Sequence, residues 1–292
     1  ERLWVRGQLS EMNVDEWLPW GRPIHNNRAP QHVASVMPAL QSFNVGFDNM
    51  SYLGYQLHNV RLGYEPLDDA SRFQITSSDL NGELIWPFDA HKKVKLNLQS
   101  LKFPFDNQQN GQAAKVIKPN EDWLIPSVDI KVKELTLNAW PQMPASQLST
   151  QLRPTTQGIT LNHIALNNPN FNMEGTLDWQ WQGKESTSYI GQIQVPNVAD
   201  LFEGFNRPAA LTSQQAQAEL ALSWQGNPSD LTLDKLNGEL SIELDKGRVL
   251  QLNRALNLSR ILGILDRDNK KKRLKFDFSD ITQKGLAYDE IR

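Results

Sequence analysis

The chain has 292 residues, 39% hydrophobic and 22% charged, and its thirty basic and thirty-three acidic side chains leave a formal charge of -3. That balance argues against a partner held by bulk charge, nucleic acid above all. The absence of cysteine excludes disulfides, thiolate zinc sites and thiol nucleophiles, and is compatible with both cytosol and periplasm.

No run of about 18 apolar residues is present, and the N-terminus lacks a charged-then-apolar pattern, so neither a spanning helix nor a signal peptide is expected here. The first residue is Glu1, and the chain reads as a piece of a longer protein with any anchor outside it. Glycines and prolines fall between short alternating runs, which predicts antiparallel β-structure throughout.

Residues 1–36 open with a strand, Leu3 to Leu9, and a short capped helix around Asn13 to Leu18 that Pro19 breaks. We read them as the end of a preceding repeat. The same order returns at Gly191 to Phe202, where Gly7 matches Gly191 and Val14 matches Val198 without a gap. Between the copies, Met37-Pro38-Ala39 resembles Ile125-Pro126-Ser127, and the strand from Asn81-Gly82-Glu83-Leu84 resembles Glu174-Gly175-Thr176-Leu177. These spacings predict repeat units at 37–124 and 125–210, followed by a unit at 211–292.

The first unit carries Phe43/Val45/Phe47, Leu53/Tyr55/Leu57, Val60/Leu62/Tyr64, Phe73/Ile75 and Val94/Leu96/Leu98, each an apolar set at period two. The second carries Val128/Ile130/Val132, then Leu135/Leu137 in shifted parity, which suggests a bulge or turn near Lys133-Glu134. After a helix around Asp200 to Phe205, the cleanest alternation is Leu240/Ile242/Leu244. There Asp245-Lys246-Gly247 predicts the turn of a hairpin spanning Leu236 to Leu252. The period then changes to that of a helix: over 253–266, Leu258, Ile261, Leu262 and Leu265 form one stripe, followed by the basic connector Lys270-Lys271-Lys272-Arg273. Leu274/Phe276/Phe278 and Leu286/Tyr288 close the chain as strands.

The five histidines have no metal-ligand spacing, and no nucleophile-elbow, Walker or dinucleotide motif occurs, so no catalytic residue, metal or cofactor is expected. Asp277 alternates with Phe276 and Phe278, as a solvent-facing residue on a half-buried strand would. Lys270 to Arg273 beside the amphipathic helix could touch anionic headgroups, although a solvated connector explains it more simply. What remains is an extended sheet whose apolar side has no long helices in sequence to cover it. It either folds on itself or stays open as an apolar trough.

The C-terminal segment is more specific. Gly238-Glu239-Leu240-Ser241-Ile242-Glu243-Leu244-Asp245-Lys246-Gly247-Arg248-Val249, then Arg260-Ile261-Leu262-Gly263-Ile264-Leu265, then Arg273-Leu274-Lys275-Phe276-Asp277-Phe278 resemble the signature of the AsmA-like C-terminal region of YhdP-type proteins of Gram-negative bacteria. The pattern departs at Asn253 to Asn257, where members usually show a proline and glycines.

The resemblance implies a mainly β fold, an elongated twisted sheet forming an open groove from repeated units with short flanking helices. It further implies a periplasmic, inner-membrane-anchored conduit that carries phospholipid between the membranes without catalysis. Candidates for a lining that faces phospholipid acyl chains, each of which could equally be plain core, are Phe43, Val45, Phe47, Val128, Ile130, Val132, Leu240, Ile242 and Leu244. Candidates for membrane or headgroup contact are Leu258, Ile261, Leu262, Leu265, Lys270, Lys271, Lys272 and Arg273. The alternative is an envelope scaffold that binds other proteins through its sheet edges.

Overall fold

A computed structural model of the chain describes residues 3–14, 16, 40–52, 55–89, 91–103, 126–138, 140–209, 211–231, 235–249 and 276–277. It is mainly β and divides into two compact units, Glu1–Ala139 and Trp140–Arg292. The membrane-contact candidates, Leu258 to Leu265 and Lys270 to Arg273, lie outside the described residues.

The first unit contains β1 (Leu3–Asn13), β2 (Leu40–Tyr52), β3 (Tyr55–Pro66), β4 (Ala70–Thr76), β5 (Leu80–Pro87), β6 (Val94–Phe103) and β7 (Val128–Leu137), which are neighbours in chain order. β2 to β6 form an antiparallel meander, flanked by the parallel pairs β1–β2 and β6–β7. The pattern follows connection length. A parallel neighbour requires a crossover of a dozen or more residues, and 14–39 and 104–127 provide it. The meander turns are tight: Leu67 donates to the Ala70 carbonyl at 2.8 Å, and the Ser77 hydroxyl accepts from the Leu80 N–H at 3.0 Å.

Two expectations about parity resolve inside single strands. The sets Leu57 and Val60/Leu62/Tyr64 belong to one strand, β3, because Asn59 at φ 52° turns the backbone and brings both Leu57 and Val60 into the core. Asparagine tolerates that left-handed conformation better than most residues. β7 likewise runs through Lys133-Glu134 with no turn; its pairing with β6 skips Lys133, and Val132 and Leu135 are both buried.

The second unit contains β8 (Ser146–Pro154), β9 (Gly158–Asn168), β10 (Phe171–Gln180), β11 (Ser186–Val195), β12 (Leu211–Gln225), β13 (Asn237–Val249) and the short β14 (Phe276–Asp277). Every recorded pairing among them is antiparallel. The helix expected near Asp200 spans Val198–Gly204, capped by Asn197, whose side-chain oxygen accepts from the Ala199 N–H at 3.0 Å.

The predicted hairpin at Asp245-Lys246-Gly247 is not formed. β13 continues through it to Val249, because β12 is fifteen residues long and its Leu211 to Ser213 pair with Val249 to Gly247. Beside this pairing the buried Ser213 hydroxyl lies within reach of the carbonyls of Gln215 at 2.7 Å and Asp245 at 2.5 Å.

Candidate functional site

Directly opposed residues on paired strands project from the same face, so the registers show which side chains share a surface. In the first unit one row runs Phe43, Tyr64, Phe73, Leu84, Leu96, Ile130 from β2 to β7, each opposite the next. The adjacent row runs Val45, Leu62, Ile75, Gly82, Leu98, Val132. The expected lining residues Phe43, Val45, Phe47, Val128, Ile130 and Val132 therefore occupy one face. At about 4.8 Å per strand, the first row crosses roughly 24 Å of sheet.

This face is graded across its width. Phe47, Met50, Leu57 and Val60 form a closed cluster along one margin, with Val60 only 1% exposed, and Ser71 and Val94 are buried along the other. Between them, all six residues of the first row are half-buried. Phe43 stacks on Tyr64 at 5.5 Å, and Tyr64 meets Phe73 at 5.3 Å, so the β2–β4 portion is aromatic and the β5–β7 portion aliphatic.

The opposite face is polar. Its corresponding row is Asn44, Gly63, Gln74, Glu83, Asn97, Lys131. Arg72 lies between Glu65 at 3.2 Å and Glu83 at 3.5 Å, while Lys93 reaches Asp129 at 3.2 Å. At the β5–β6 turn the Lys92 ammonium donates to Asp69 at 2.8 Å; this bond and its charge hold the Asp69 carboxyl below its ordinary pKa and raise that of Lys92.

The second unit repeats the arrangement with closed margins. Leu166, Met173, Ile193, Ala218 and Ile242 form one half-buried row, and Gly175, Gly191, Leu220 and Leu240 form the next. Leu240, Ile242 and Leu244 thus share a face. Along one margin the helix sets Val198, Leu201 and Phe202 against Phe171, Val195 and Ala216. Along the other, Trp179 and Trp224 are buried with their indole N–H groups bound to Glu185 at 3.2 Å and the Asn227 carbonyl at 2.9 Å. On β10 this face is half-buried from Met173 to Leu177, about 13 Å at roughly 3.3 Å per residue, while Ile164 opposite Gly175 and Tyr189 opposite Leu177 are buried and cluster with Trp224 and Leu236.

The buried Tyr189 sets its ring over Gly175 and Gly191, and its hydroxyl donates to the Glu174 carbonyl at 3.0 Å; burial raises its pKa above 10.0. A cavity of about 960 Å³ opens on the other face, among Glu174, Thr176, Ile190, Glu219 and Glu239. A twisted sheet is saddle-shaped, so a hollow can form opposite the apolar side. Its carboxylates suit neither acyl chains nor anionic headgroups.

Alternation identified the strand sets, but Tyr64, Phe73, Leu84, Leu96, Met173 and Ile193 were not assigned to the lining. The period-two signal was present for them; the cross-strand register that aligns them was not. Among the described residues, no group of three acidic or histidine side chains could hold a metal ion, and no helix is long and apolar enough to cross a membrane.

Comparison with known proteins supplies what geometry does not. One curated relative, the intermembrane phospholipid transporter YhdP of Escherichia coli (strain K12), is 27% identical over 120 residues, which cover 40% of this chain and 9% of that protein. No solved structure matches the chain significantly. The family described as YhdP protein matches residues 1–292, the whole of the chain. The chain belongs to the YhdP family.

Proposed function

We propose that this chain is a segment of a bridge-like conduit that carries phospholipid across the periplasm, with acyl chains on the apolar face of each unit. The observation that supports this most is the half-buried row Phe43, Tyr64, Phe73, Leu84, Leu96, Ile130, whose margins are closed while its middle is open. A core would bury such residues; a surface selected only for solubility would not align them.

Each CH₂ removed from water contributes about 0.8 kcal/mol, so a chain of a dozen or more methylenes lying along this row gains enough to stay, while the uncharged surface gives it no fixed resting point. The row runs across the strands, and tails can shift from one strand to the next without crossing a polar barrier. Phe43, Val45, Phe47, Val128, Ile130 and Val132 line the first unit's share, and Leu240, Ile242 and Leu244 the second's. The role is binding and conduction, not catalysis. It places the chain in a Gram-negative envelope, tethered to the inner membrane by a segment outside these residues.

The test is native mass spectrometry after lipid extraction, comparing the wild type with a Val45→Asp, Ile242→Asp double variant shown by circular dichroism to stay folded. Phospholipid on the wild type and its loss from the variant is the expected result. A lipid-free wild type, or lipid retained by the variant, contradicts the proposal.

A further inference from the structure

The register of β4 and β5 can be followed outward past the open row. Phe73 lies opposite Leu84 and Ser71 opposite Trp86; beyond them the Phe88 N–H donates to the Asp69 carbonyl at 2.9 Å, which continues the same ladder. Asp69 and Phe88 therefore belong to the face of Phe73 and Leu84, about 13 Å further along the strands. Phe88 is 59% exposed. The Lys92 ammonium reaches Asp69 at 2.8 Å, and the two side chains are 55% and 72% exposed. A charged pair and an aromatic ring thus stand together at the rim of the apolar face.

The second unit repeats the aromatic part. Asn81-Gly82-Glu83-Leu84-Ile85-Trp86-Pro87-Phe88 aligns with Glu174-Gly175-Thr176-Leu177-Asp178-Trp179-Gln180-Trp181 without a gap. Trp181 extends the β9–β10 ladder as Phe88 extends β4–β5, its N–H donating to the Gln157 carbonyl at 3.0 Å, and it meets Trp179 edge-on at 4.7 Å. The turn that follows again carries an exposed lysine, Lys184. Aromatic rings and lysines at the boundary between an apolar surface and water suit the glycerol and headgroup region of a lipid.

The charges of the first unit's rim select among headgroups. Asp68, Asp69 and Asp89 are exposed in the β3–β4 and β5–β6 turns beside Lys92 and His91, while Lys93 is engaged by Asp129 at 3.2 Å. This acidic surround disfavours an anionic headgroup, whereas a carboxylate and an ammonium side by side complement one that carries both an ammonium and a phosphate. We infer that these two turns form a headgroup subsite selective for zwitterionic over anionic phospholipid, in which Lys92 donates to the phosphate, Asp69 accepts from the ammonium and the Phe88 ring covers the glycerol. The tails run from this rim over Trp86 onto Phe73 and Leu84. The inference rests on the acyl-chain reading of the apolar face.

The probe is an equimolar mixture of phosphatidylethanolamine and phosphatidylglycerol with identical tails, offered in detergent to the whole chain, with the retained lipid quantified by mass spectrometry. The wild type should retain phosphatidylethanolamine over phosphatidylglycerol by about threefold, the scale of an exposed ion pair. Asp69→Lys, shown by circular dichroism to stay folded, should abolish or invert that preference without reducing total lipid. Glu219→Lys, the same charge change on the polar face of the second unit, should leave it intact. Glycerophosphoethanolamine, the headgroup without tails, should displace no lipid; displacement would make a soluble phosphoester the ligand and overturn the assignment. Retention at the ratio offered, a preference that Asp69→Lys leaves unchanged, or an equal shift in Glu219→Lys also overturns it. A chain that retains no lipid overturns the acyl-chain reading, and this inference with it.

Discussion

The two units build the same one-sided sheet by different means. The first uses parallel pairs at β1–β2 and β6–β7, and its polar face is held by ion pairs, Arg72 with Glu65 and Glu83 and Lys93 with Asp129. The second is antiparallel throughout, and a helix and two tied indoles close its margins. The connections differ in length: 14–39 leads from β1 to its parallel neighbour, whereas 196–210, which carries the Asn197-capped helix, leads from β11 to its antiparallel neighbour β12. The two units thus differ in topology, while half-buried apolar rows are kept in both. That persistence is the argument that the rows matter.

The comparison is most strongly challenged at the closed margin of the second unit. Phe171→Ala removes the ring on which the helix packs and should cost about 3–5 kcal/mol in urea unfolding, whereas Phe43→Ala on the open row of the first unit should cost markedly less. Equal losses would mean that the open row is ordinary core. A second contrast uses glycines. At Gly82 a methyl group would meet the Asn97 carbonyl and the Leu98 backbone, so Gly82→Ala should destabilise by about 1–3 kcal/mol. At Gly7 it meets nothing, and Gly7→Ala should be neutral or stabilise by roughly 0.5–1 kcal/mol through the unfolded chain.

Ser213→Ala removes the hydroxyl that reaches the Asp245 carbonyl and should cost about 1–2 kcal/mol, with faster amide exchange confined to Asp245 to Val249; unchanged exchange there would mean that the hydroxyl does not hold this end of β13. The smallest effect belongs to the exposed pair at the β5–β6 turn. Asp69 is held below its ordinary 3.8 by Lys92, so its share of stability is present above that value and lost as pH falls through the folded-state pKa. Lys92→Met should move the Asp69 titration, followed by carboxyl NMR, upward toward 3.8.

Much of the fold was legible because alternation is a local property: the apolar sets of β2, β3, β6 and β7 could be read directly, as could the Asn-capped helix after β11. The hairpin at Asp245-Lys246-Gly247 was misread for the complementary reason. Its turn signal is local, and the decisive fact is a partner more than thirty residues away, β12, long enough to hold β13 extended. The apolar row was legible in part. Phe43, Val45 and Ile130 could be chosen from their own strands, but that Tyr64, Phe73, Leu84 and Leu96 join Phe43 to Ile130 depends on five registers that no single strand encodes. Asn59 shows the limit most clearly, since one left-handed residue reverses the parity of the strand around it.

The central claim is that lipid lies on one face of the sheet and not the other. Photo-crosslinking tests it directly, with benzoylphenylalanine placed at Leu84 on the apolar row and, separately, at its neighbour Glu83 on the polar face, in chain expressed in a Gram-negative envelope. The account predicts phospholipid adducts from position 84 and none above background from position 83. Equal labelling at both positions, or adducts from 83 alone, would contradict it.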